Sequence, residues 1–162
     1  MTTTAHPRFA AALEESGLGE VLVRVRSFPE ATRTAAEAAA AIGCELSQIC
    51  KSLVFAADGA PVLVLMDGAS RVDVERVRRE LGAGKVTRAD AGVVRETTGY
   101  AIGGVPPFGH RTRTRVLADR SLLAHDVVWA AAGTPYTVSP IGPQDLVAHA
   151  GATLVDVREQ TA

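Results

Sequence analysis

Two places in the chain carry residue types that could do chemistry. The first is the stretch GYAIGGVPPFG from Gly99 to Gly109, which holds four glycines and two adjacent prolines in eleven residues. Such a run does not form a helix, because Pro107 keeps Pro106 out of the α region and neither proline has an N–H to donate. Gly103 and Gly104 can take positive φ and present backbone amides with no Cβ in the way. The prolines stiffen the far side of the turn. Together these features suit a ledge of backbone donors facing a carbonyl or phosphate oxygen. A plain connecting loop would use the same residues as punctuation. The second place is Lys51, in the run ICKSLVFA, where nearly every neighbour prefers a core. A lysine at the head of an apolar strand can hold its ammonium at a cleft mouth and bind a phosphate as a point charge. With its stem buried and its head in water, it would be a snorkelling lysine and nothing more.

Other chemistries find no support. No Gly-x-Ser-x-Gly elbow, Walker loop or Gly-x-Gly-x-x-Gly turn is present, so neither a triad hydrolase nor a nucleotide cofactor is indicated. Cys44 and Cys50 match neither a redox pair nor a zinc knuckle and read as free thiols in a reducing interior. His6, His110, His125 and His149 are scattered without ligand spacing, so no metal and no other cofactor is expected. Catalysis, if present, would rest on positioning, on backbone donors and on the substrate's own groups.

The elements that must position these residues follow from periodicity. An amphipathic helix is expected from His6 to Leu18 and a half-wet strand over Val21 to Phe28. An Ala-rich helix, opened by Thr32 or Thr34, spans Ala35 to Ile42 and stops at Gly43. Residues Glu45 to Ile49 give a short helical turn. Lys51 to Ala57 and Pro61 to Met66 form a hairpin through Asp58-Gly59. A helix over Arg71 to Leu81, a brief strand at Lys85 to Thr87 and a helix over Ala89 to Thr97, with Val93 and Val94 inward, follow. Beyond the glycine–proline stretch come a strand at Arg113 to Ala118, a turn at Ser121 to Ala124 and strands at Val127 to Ala132 and Tyr136 to Val138. A last helix runs over Gln144 to Ala150, and Leu154 and Val155 finish the fold. Strands and helices so interspersed predict one domain over residues 1–162, of α+β (mixed α/β) class, with helices around a mixed sheet or partly closed barrel.

The chain has 162 residues, 47% hydrophobic and only 4% aromatic, with a formal charge of −1. That is enough to bury a core, and it supplies no global basic field for DNA or any long nucleic acid. One RNA end remains compatible. Two basic clusters, Arg71 to Arg88 and His110 to Arg115, read first as solvated surface. The start MTTT carries no signal pattern and no apolar run reaches spanning length, so a cytoplasmic protein without a membrane partner is expected.

The order of these motifs resembles the YbaK-like family, which includes free-standing aminoacyl-tRNA deacylases and the editing domain inserted in bacterial prolyl-tRNA synthetases. Thr32 before the Ala-rich helix, the ICKSLVF strand, the TGYAIGGVPPFG loop, Asp119, the hairpin from Gly133 to Pro140 and Asp145-Leu146 carry it. The likeness runs from about the first strand to the C-terminus, a core of about residues 20–156. It implies hydrolysis of the ester joining a wrong amino acid to a tRNA 3′ end, chiefly cysteine or another small residue on proline tRNA. By the same resemblance Lys51 contacts a terminal phosphate, and Gly103, Gly104 and Pro107 belong to the loop whose amides lie near the scissile carbonyl. Thr32, Ser52, Tyr100, Val105, Pro106 and Phe108 would then bind substrate, although Thr32 serves equally as a helix N-cap. The implied partners are the tRNA acceptor end and prolyl-tRNA synthetase. The same fold could instead serve as a non-catalytic module that binds aminoacyl-tRNA or a synthetase. Editing relatives often carry a functional histidine at the hairpin that here reads GTPYT, leaving Tyr136 or His125 as the candidates to replace it.

Overall fold

The computed structural model describes residues 5–32 and 34–160. Its strands are β1 (Arg26–Ser27), β2 (Ile49–Ala57), β3 (Ala60–Asp67), β4 (Val86–Arg88), β5 (Arg115–Asp119), β6 (Val128–Ala131), β7 (Thr137–Ile141) and β8 (Thr153–Val155). The helices are α1 (Pro7–Glu15), α2 (Ala35–Ile42), α3 (Val74–Leu81), α4 (Ala91–Thr98) and α5 (Pro143–Ala150). The hairpin of β2 and β3 is the spine. Asp58 at φ 50° and Gly59 at φ 85° make the two-residue turn whose twist matches the flanking strands. The ladder then runs unbroken from Ala57↔Ala60 to Cys50↔Asp67. The Asp58 carboxylate also accepts from the Gly84 and Lys85 amides, strapping the turn to the chain that leads into β4.

On this spine the sheet reads β1-β7-β6-β2-β3-β5-β8, with β4 paired to β2 off that path. Pairings β2–β6, β3–β5 and β5–β8 are parallel and the others antiparallel, so the sheet is mixed and open. Alternation along β3 sorts the two faces. Leu63 and Leu65 join a core with Phe9, Leu13, Tyr100, Phe108 and Leu146, while Val62, Val64 and Met66 pack with Phe55, Val77 and Val157. The α+β expectation is met: helices surround a mixed sheet. Among the described residues no helix is long and apolar enough to cross a membrane.

Two local expectations are corrected. The strand read over Val21 to Phe28 is a 3₁₀ helix over Gly19–Arg24, followed by only two strand residues. The sheet edge supplies partners for Arg26 and Ser27 alone, from Val138 and Thr137, and Val23 is left 85% exposed where alternation would have buried it. On α4, Val94 is buried and Val93 is 38% exposed, because neighbours 100° apart point different ways and only Val94 is turned to the core. Thr34, not Thr32, caps α2, its hydroxyl accepting from the Glu37 amide, and Gly43 ends that helix in the left-handed conformation.

Candidate functional site

The site follows from how β2 shares its edge. Opposite β3, that edge pairs with β6 at Ile49 and Cys50 and with β4 from Phe55 to Ala57. Between them the sheet forks, and a cavity of about 250 Å³ opens there, lined by every β2 residue from Ile49 to Val54. The Ala89 amide donates to the Val54 carbonyl. In an antiparallel ladder alternate residues aim their backbone groups at the same edge, so the N–H and C=O of Ser52 point into the fork. The Ser52 hydroxyl is buried without a partner. A buried hydroxyl left unpaired costs roughly 1–3 kcal/mol, so a ligand that reached Ser52 from the cavity would gain by pairing it. Ser52→Ala is therefore expected to raise Tm by about 2–4 °C per kcal/mol recovered, read by thermal unfolding, while weakening substrate binding.

Lys51 lies at the same fork, about half-buried. Its Nζ donates to the Ser70 carbonyl at 2.6 Å, which fixes the ammonium while leaving two of its three N–H donors. Burial pulls its pKa below the usual lysine value, partly opposed by the Asp67 carboxylate and reinforced by Arg88 and Arg71. An anion docking beside the ammonium would relieve that cost.

Facing β2 across the cavity are Gly103 and Val105. Gly103 has φ 92°, a conformation that an L side chain rarely adopts. Among the described residues its N–H has no acceptor. Thr32 lines the cavity too. Its N–H and hydroxyl both donate to the Pro135 carbonyl, holding the Gly133–Tyr136 turn against Gly103. Lys51, the unpaired edge of β2 with Ser52, and Gly103 thus line one space, the Lys51 and Ser52 side chains leaving opposite faces of β2. Such a set can bind an anion at one side and polarise a carbonyl at the other.

Residues 29–148 match the aminoacyl-tRNA editing domain family. The chain belongs to that family. It resembles a crystal structure described as a "putative trans-editing enzyme for prolyl tRNA synthetase", with 42% identity and a TM-score of 0.88 over 94% of this chain and 96% of that one. It is also 34% identical to the uncharacterized protein YwhH of Bacillus subtilis (strain 168), over 75% of this chain and 78% of that protein. A proline–tRNA ligase of Streptococcus sanguinis (strain SK36) is 32% identical over 78% of this chain, which spans only 20% of the ligase.

Ile102 lines the cavity as well, while the editing domain places Tyr100, Gly104, Pro106, Pro107 and Phe108 outside its lining. Gly104 has no positive φ, and its N–H closes a turn onto the Ala101 carbonyl at 2.9 Å, so the expected pair of free glycine donors reduces to Gly103. What Gly104 needs is its missing side chain: a Cβ would sit 2.8 Å from Thr134 Cα. Tyr100 is 2% exposed and donates from its hydroxyl to the Gly109 carbonyl at 2.6 Å, tying the loop's two ends together. Burial pushes that phenol up to about 12. His110 Nε2 donates to the Pro106 carbonyl at 2.6 Å; burial lowers the ring's pKa, and that hydrogen bond partly opposes it. Phe108 packs on Phe9 at 5.2 Å between ring centroids. Pro107 lines a separate cavity with Phe108, Arg113 and His149. In this structure Tyr100, Pro106, Pro107 and Phe108 hold the loop that carries Gly103, and none of them lines the fork.

Asp119 is likewise structural in its contacts, accepting from the Ser121 and Val157 amides. His125 bonds to the Ser47 hydroxyl and Tyr136 is exposed; neither lines the cavity. Among the described residues no three His, Cys, Asp or Glu side chains cluster as a metal site requires. The editing domain also shows cavity residues that sequence reasoning left out: Arg88, Trp129, Thr137 and Val138. Each belongs to a strand whose partner is distant in sequence, so no local pattern marks it.

Proposed function

We propose that this domain hydrolyses the ester of mischarged aminoacyl-tRNA in trans, with cysteine or another small amino acid on proline tRNA as the substrate. The observation that carries the proposal is the shared cavity: Lys51, Ser52 and Gly103, whose N–H has no acceptor among the described residues, line one space at the β2 fork. About 250 Å³ accommodates a small acyl group and part of a ribose, not an acceptor stem. The stem stays outside while the 3′ end enters.

In the proposed reaction the Lys51 ammonium grips the phosphate next to the terminal nucleoside. Water adds to the ester carbonyl, and the Gly103 N–H stabilises the oxyanion that forms. Collapse of the tetrahedral intermediate breaks the acyl–oxygen bond. The ribose oxygen takes up the proton that the water has lost, and free amino acid and uncharged tRNA leave. A neighbouring ribose hydroxyl orients the water. The ester is already activated, so a barrier reduction of a few kcal/mol from one aligned donor is sufficient. The work on tRNA would place the protein in the cytoplasm.

The test is a panel of proline tRNAs charged with cysteine, alanine, serine and proline, incubated with the purified protein. Release of a small non-cognate amino acid is the expected result. Binding of charged tRNA without release would identify a non-catalytic module instead. Release should persist undiminished in excess EDTA; loss of release on chelation, restored by added metal, would overturn the metal-free mechanism.

A further inference from the structure

We propose that Arg88 holds a phosphate of the RNA strand leading to the ester, as a second anchor beside Lys51. The inference rests on the editing reading above and adds a positioning residue to it. In the β2–β4 ladder Arg88 stands directly opposite Phe55, and opposed residues in an antiparallel pair share a face. Lys51, Leu53 and Phe55 share that same face by alternation. Arg88 and Lys51 therefore rise from one side of the sheet, rooted about 14 Å apart by strand rise and strand spacing, and both line the fork cavity.

The guanidinium carbon of Arg88 lies 5.6 Å from the centroid of the Phe55 ring. Phe55 is fully buried, so the platform is rigid. A stacked guanidinium keeps its N–H groups directed outward in its own plane, the geometry that meets a phosphate with two parallel bonds. Arg88 makes no ion pair among the described residues. The buried Asp67 carboxylate beside Lys51 is already occupied by the Ser121 hydroxyl and the Ala69 amide. Two cations thus flank the opening: Lys51 has the Asp67 carboxylate as a nearby counter-charge, while Arg88 has none within ion-pair distance among the described residues. Arg88 is exposed at the rim while Lys51 is tied inward to Ser70. That arrangement suits a strand crossing the rim with one phosphate at each cation. A carboxylate ligand, carrying a single anionic group, would leave one of them unpaired.

The experiment uses two hydrolysis-resistant ligands: 3′-aminoacylamino-adenosine, which has no phosphate, and the same nucleoside at the end of a CCA trinucleotide. Wild type should bind the trinucleotide more tightly. Arg88→Ala should lose about tenfold on the trinucleotide and nothing on the nucleoside. Its slope of log K against log salt should fall by roughly 0.7, one single-strand phosphate contact. Arg88→Lys should fall between the two proteins, and on charged tRNA Arg88→Ala should raise KM with kcat within about twofold. A variant that binds the trinucleotide as wild type does, or loses equally on both ligands, would overturn the phosphate role. Wild type that binds neither ligand would refute the editing reading itself, a result separable from the first because it does not involve the variant.

Discussion

Lys51→Ala is expected to lower kcat/KM for mischarged tRNA by about 100-fold, close to 2.7 kcal/mol of transition-state binding, with far-UV circular dichroism unchanged. The side chain is half-buried and makes one hydrogen bond, to the Ser70 carbonyl. Losing that bond costs the fold roughly 1 kcal/mol, partly offset because a partly desolvated ammonium leaves with it. Stability and activity should therefore separate, which distinguishes a binding cation from a snorkelling one. Lysine must be protonated to hold a phosphate. Burial, the largest cause, pulls its pKa below the ordinary 10.5, so kcat/KM should fall as pH rises through that lowered value, earlier than for an exposed lysine. In Lys51→Ala the alkaline limb should vanish, once base hydrolysis of the free ester is subtracted. Lys51→Arg should rescue poorly, because the longer planar group cannot keep the Ser70 contact and point charge together. Full activity in Lys51→Ala would remove this residue from the mechanism.

How far such a site can be read without coordinates depends on the range of the interaction that makes it. The β2–β3 turn was legible because Asp58-Gly59 adopts its conformation for local reasons. The same holds for Gly43 at the end of α2, whereas its start was readable only as Thr32 or Thr34, and Thr34 is the cap. Lys51 stood out through its apolar neighbours, and Gly103 through its loop composition. What stayed hidden was set by pairing between distant segments. The fork exists because β4 and β6 both claim the edge of β2, and no property of residues 49–57 announces that contest. Arg88 looked like one member of a surface cluster until its register opposite Phe55 was known. The Val21–Val25 alternation misled for the same reason in reverse. A strand pattern needs a partner strand, and at that edge only Thr137 and Val138 were available. The loop composition, for its part, did not separate the glycine with a free amide from the glycine whose amide closes a turn.

That separation makes the glycine variants the sharper test of the oxyanion role. Gly103→Val is expected to lower kcat by 100-fold or more, the usual loss on removing one oxyanion donor. Gly103 sits at φ 92°, where a β-branched residue costs roughly 1–3 kcal/mol, so Tm should fall by several degrees while the sheet remains intact. The space itself is not the obstacle, for a Cβ there would meet only Pro135 Cβ at 3.6 Å and the Thr32 carbonyl at 3.9 Å. Turning the peptide would relieve the strain, and it would redirect the Gly103 N–H on which the proposed oxyanion role depends. Gly104→Ala provides the contrast. Its backbone angle is ordinary, yet a Cβ would lie 2.8 Å from Thr134 Cα, so the two loops must part. That variant should lose stability at least as great, and its turnover should fall because the whole ledge moves. If Gly103→Val turned over substrate at the wild-type rate while unfolding at a lower temperature, the strain would be real and the donor irrelevant. The oxyanion would then have to be stabilised elsewhere on the fork, with the inward-facing N–H of Ser52 the next group to examine.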